Sequence, residues 1–140
     1  MKRLIVPVLV LFLFVLTIMV SDIHGKEIDF TGSWGFDGLT DIDVGKPARC
    51  TFTITLKQNG NKISGNYTAV AIDGNRIDDG NKIVGTISGN TADIQFESGS
   101  WGGKGRAKIT HMGNKLMWEI TETTKPGFWC PKKVILDYGT

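Results

Sequence analysis

Cysteine, histidine and helical periodicity are scarce in this chain, and each scarcity excludes something. Cys50 and Cys130 are its only cysteines. With no histidine near either in sequence, they cannot fill a zinc shell by themselves. His111 is the one histidine beyond the N-terminal segment. It sits beside the Met112-Gly113 turn with no serine or cysteine in its hairpin to activate, so no enzyme is expected. Charge of one sign is lacking too: 16 Lys and Arg stand against 14 Asp and Glu. Such a balance leaves no electrostatic footprint for nucleic acid or for an anionic membrane. Asp41-x-Asp43 and DGNRIDDGN hold aspartates, but neither carries the ligand series of a calcium loop, so these residues are read as turn formers. No metal and no cofactor are expected.

One long apolar run is present, and it stands at the start. Lys2 and Arg3 precede 17 apolar or neutral residues, Leu4 to Val20, the layout of a secretory signal peptide. Residues 1–25 are therefore assigned to a signal segment, with cleavage after Ser21 or Gly25 and an uncleaved anchor as the alternative. Residues 26–140 form one domain, exported to a periplasm or secreted. In that setting an even cysteine count reads as a Cys50–Cys130 disulfide. Closing a span of this length raises stability by about 4 kcal/mol in the chain-entropy model.

The remainder is organised by turns and alternation. Gly-Asn occurs six times, and five of these, at Gly60, Gly74, Gly80, Gly89 and Gly113, are read as turn marks, since both residue types tolerate the positive φ of tight hairpins. Between these marks apolar residues alternate with polar ones, as in CTFTITLK, where Cys50, Phe52, Ile54 and Leu56 share one face. A turn at Gly113-Asn114 sets Ile109 opposite Trp118 and Lys108 opposite Glu119. A turn at Gly89-Asn90 sets Ile83 opposite Phe96 and Lys82 opposite Glu97. Apolar meets apolar and charge meets countercharge, which is how register is specified. The count is eight strands, near residues 29–37, 48–58, 62–72, 82–88, 91–97, 103–111, 115–122 and 132–138. The fold class is all-β, an eight-stranded antiparallel up-and-down barrel, with a β-sandwich as the alternative.

The segment GSW (Gly32 to Trp34) resembles the G-x-W that opens the first strand of calycin barrels, the lipocalins and avidins. SGNYTAV, through Gly65 and Tyr67, and WCPKKVILD, through Trp129 and Asp137, resemble avidin strands more closely. The resemblance implies ligand contacts at Trp34, Tyr67, Trp118, Trp129 and Asp137. Phe36 and Ala69 depart from it, standing where avidins carry polar contacts, so tight biotin binding is not expected. On the residues alone, Trp34 reads as a plug closing one end of the barrel. Inward Gly65, Gly85, Gly105, Ala69, Ala92 and Ala107 admit two readings: a cavity for an apolar or aromatic ligand at the mouth, or bends against which large rings pack. The partner is then either that small molecule or a protein. A protein would be bound as by an inhibitor or immunity-type module, through the loops 36–48 and 123–130, the latter presenting Phe128 and Trp129.

Overall fold

In the computed structural model the described residues are 27–43, 46–71 and 76–140. The expected signal segment 1–25 lies outside them, as do Gly74 and Asn75. Eight antiparallel strands form a closed barrel in chain order: β1 (Gly32–Asp43), β2 (Lys46–Asn59), β3 (Lys62–Ala71), β4 (Arg76–Ser88), β5 (Thr91–Glu97), β6 (Lys104–His111), β7 (Lys115–Lys125) and β8 (Lys133–Tyr138). Closure rules out the sandwich, because β8 returns to β1 through Trp34↔Tyr138 and Gly35↔Asp137.

The hairpin registers follow from side-chain pairing. Lys82 lies opposite Glu97 and Ile83 opposite Phe96; Lys108 lies opposite Glu119 and Ile109 opposite Trp118. In the β2–β3 hairpin Asn59 pairs with Lys62, so Gly60 and Asn61 form the turn and Lys57 meets Ser64 rather than Lys62. Gly60, Gly89 and Gly113 all take positive φ there, the conformation these two-residue turns demand. The β2–β3, β4–β5 and β6–β7 turns lie at one end of the barrel together with both ends of the described chain; the opposite end, which carries the β5–β6 and β7–β8 connections, is the mouth.

Two strands, β1 and β4, depart furthest from the bounds that alternation indicates. β1 continues to Asp43, pairing with β2 up to Lys46. β4 begins at Arg76 rather than at residue 82, because Gly80-Asn81 is a bulge and not a turn: Gly65 pairs with Ile83, but Tyr67 pairs with Gly80. A bulge inserts an extra residue without ending the strand. Here it keeps Asp78 pointing inward.

Rings fill the barrel. Phe52 lies 5.0 Å from Trp118 and 5.9 Å from Tyr67, and Phe96 lies 5.4 Å from Trp118 and 5.9 Å from Tyr67. All four are buried. Two inward glycines, Gly80 and Gly105, make room for this stack. A Cβ on Gly105 would stand 2.4 Å from the Phe96 ring, and one on Gly80 would stand inside the Tyr67 ring. Trp34 is buried beneath the tight-turn end, where its indole N–H donates to the Phe30 carbonyl at 3.1 Å. It closes that end as a plug.

Candidate functional site

At the mouth a single carboxyl group gathers three segments of chain. Asp78 is fully buried. Its Oδ2 accepts from the Tyr67 hydroxyl at 2.9 Å and from the Trp129 backbone N–H at 3.1 Å. Its Oδ1 accepts from the Ser98 hydroxyl at 2.7 Å. Thus β3, the β5–β6 loop and the β7–β8 connection all converge on one side chain of β4. A buried carboxyl is tolerated when hydrogen bonds replace the water it loses, and these donors are that replacement.

The network continues outward to the rim. Ser98 Oγ accepts the backbone N–H of Trp101 at 2.9 Å, and the Trp101 indole N–H donates to the Ile77 carbonyl at 2.9 Å. Backbone bonds from Gly99 to Asp79, from Ser98 to Gly103 and from Gly103 to Gly127 brace the same loops. Trp101 is therefore held at both ends while 48% of its surface stays exposed, beside an exposed Ile77. Its ring meets that of Trp129 edge-on at 5.8 Å, and the Arg76 guanidinium lies 3.8 Å above the Trp129 ring. Below them Phe128 packs against Phe96 at 5.1 Å, joining the rim to the core. The Trp129 indole N–H is buried and has no hydrogen-bond partner among the described residues.

The surroundings set the protonation of the neighbours. Burial first, then the nearby Cys130 and Asp78, push the Tyr67 phenol far above its usual range, so it stays a donor. Burial also raises Cys130 well above the usual thiol value and Cys50 to about 11. The expected Cys50–Cys130 bond is not formed in this structure: both are buried free thiols. As thiols they are poor nucleophiles. Ser98 donates its proton to a carboxyl with no imidazole beside it; His111 is at the far end, edge-on to Phe30 and Trp34 at 5.4 Å each. The arrangement is suited to holding loops.

The residues singled out by sequence divide by position. Tyr67 and Trp118 share the buried stack, with the Trp118 indole donating to the Pro131 carbonyl at 2.8 Å. Trp129 is half-buried at the mouth above them. Trp34 lies at the opposite end, and Asp137 is on the outside of that end, paired with Lys115. Asp78, Ser98, Trp101 and Arg76 were missed. Arg76 and Asp78 lie in RIDDG, which shows no apolar residue on the inward parity and whose glycine resembles a turn, while Ser98 and Trp101 lie in the β5–β6 loop. The only available signal was Ile77 taking the outward place beside an inward acid. No family model matches the chain, and neither a curated protein nor a solved structure does.

Proposed function

We propose that this is an exported protein-binding module that engages its partner with the mouth of the barrel. One observation carries the reading: Trp101 is half-exposed yet pinned by hydrogen bonds at its backbone and its indole. Ordering a side chain on binding costs roughly 0.5–1.5 kcal/mol, and here the fold has already done it. Pinned aromatics beside an exposed apolar neighbour are what interface anchors look like. The filled barrel beneath supplies the rigid platform. Segment 123–130 supports the anchor through Phe128 and Trp129, and segment 36–48, of which residues 44 and 45 lie outside the described residues, brings the exposed Leu39 to the same end.

The matching partner surface is a cleft on a folded, exported protein, apolar at its centre for Ile77 and the Trp101 ring. In an oxidising compartment Cys50 and Cys130 pair by exchange with an oxidised dithiol carrier, which takes up their two electrons and two protons. That bond fastens the β7–β8 connection. The barrel is calycin-like in architecture, and biotin is not its ligand on this reading, since Phe36 and Ala69 supply no polar contact.

A second reading has its own support. The unpartnered Trp129 indole N–H beside the Tyr67–Asp78 pair suits a small ligand carrying a hydrogen-bond acceptor. A photo-crosslinking amino acid at position 101, compared with one at the exposed wall residue 84 in the exporting cell, decides for the protein partner. A discrete protein adduct at 101 and none at 84 is expected. Equal labelling at both positions, or none at 101, removes the proposal.

A further inference from the structure

The end opposite the mouth carries an unrelated surface. A depression of about 680 Å³ opens there, and its lining includes Asp29, Trp34, Asn90, His111, Asn114 and Tyr138. We propose that this depression is a saccharide-binding site, with Tyr138 as the platform for one pyranose ring. The inference goes beyond the mouth reading and does not depend on it.

A pyranose presents an apolar C–H face and a rim of neighbouring hydroxyls. Recognition therefore needs an aromatic face held still, with planar amide or carboxyl groups around it to exchange hydrogen bonds. Tyr138 meets the first need. It is 57% exposed, but its ring cannot wander. It lies over Gly32, where a Cβ would stand 2.4 Å from a ring carbon, and it meets the Trp34 ring edge-on at 5.0 Å. Its backbone N–H donates to the Asn114 carbonyl at 3.0 Å, and the next residue, Gly139, donates to Ser33 at 2.9 Å. The GSW segment thus has two tasks: its tryptophan plugs the barrel, and its glycine seats the tyrosine.

The second need is met by the turns. Asn90 and Asn114 occupy the β4–β5 and β6–β7 turns, with their carbonyls tied to His111 and Tyr138. Their backbones are fixed, while their exposed amide side chains make no hydrogen bond to the described residues. The Thr31 side chain, and with it the Thr31 backbone N–H that Asp29 accepts at 2.8 Å, keeps the Asp29 carboxyl below the usual range. It remains an acceptor for hydroxyl groups. Amides that donate and accept, a carboxylate that accepts, and a fixed ring form a set for a polyol. An isolated cation would have no use for the amide donors.

The test is a titration of the exported protein, followed by backbone amide NMR, with chitotriose, cellotriose and maltotriose as probes and choline as the cationic comparison. Saturable shifts at residues 90, 114 and 138 with at least one trisaccharide are expected, with a dissociation constant of about 1 mM or below. Tyr138→Ala should weaken binding at least tenfold, Tyr138→Phe should retain it, and Val84→Ala should leave it unchanged. Circular dichroism of the exposed Tyr138→Ala variant checks that the barrel persists. No saturation with any trisaccharide, saturation with choline alone, or wild-type affinity in Tyr138→Ala overturns the proposal.

Discussion

Replacing Asp78 by alanine should unfasten the mouth, and the cost can be worked from the contacts it makes. Three donors lose their acceptor: the Tyr67 hydroxyl, the Ser98 hydroxyl and the Trp129 backbone N–H. A stranded buried donor costs about 1–3 kcal/mol. Tyr67 is 2% exposed and bears the full penalty. Ser98 is 9% exposed and Trp129 half-buried, so both recover part of it from water. The sum is about 3–5 kcal/mol, the range of a broken buried network. For a domain of this size that lowers Tm by roughly 12–20 °C. Asp78→Asn keeps one acceptor but turns an amide donor toward a donor, and should lose about half as much. Urea unfolding should show a lower midpoint at unchanged slope. A Tyr67→Phe, Asp78→Ala cycle should show the two changes to be non-additive. A loss below about 1 kcal/mol, or simple additivity, would refute the claim that this carboxyl holds the loops.

Gly80→Ala places a Cβ 1.6 Å from a Tyr67 ring carbon, so the ring must leave its seat; a loss of about 1–3 kcal/mol or more is expected by thermal unfolding, and a neutral result would contradict the packing. In the reduced protein, Cys50 is raised from 9.0 to about 11, so above pH 9 the unfolded chain releases its proton first. Stability should therefore be flat below that pH and fall as pH rises through about 11. Oxidation should remove the thiol part of this alkaline fall, and non-reducing mass spectrometry of exported protein should find the Cys50 and Cys130 peptides linked. Two free thiols there would remove the disulfide.

The barrel was legible because its outward charges and inward rings alternate in step with its turns. The pairs Lys82–Glu97 and Ile109–Trp118 follow directly once Gly89-Asn90 and Gly113-Asn114 are taken as turns. The mouth was not legible for the opposite reason. In RIDDG the inward place belongs to an acid whose burial is compensated by Tyr67, Ser98 and Trp129, partners 11, 20 and 51 residues away. No local pattern announces such a compensation. Gly80 misled in the same way, since its use is to clear space for a ring on the neighbouring strand. Ser98 and Trp101 lie in a loop with no period, and their roles appear only when the loop is seen folded back onto β4.

The four tryptophans make the central claim, a rigid binding face over a filled barrel, directly measurable. Each can be followed separately by 19F NMR after incorporation of 5-fluorotryptophan. The protein captured through position 101 should shift the Trp101 and Trp129 resonances and leave that of Trp118 in place. A panel of small apolar and aromatic ligands should leave Trp118 unmoved as well. A saturable shift of Trp118 on adding such a ligand, with Trp101 undisturbed by any protein, would contradict the account and restore an open cavity as the working part of the molecule.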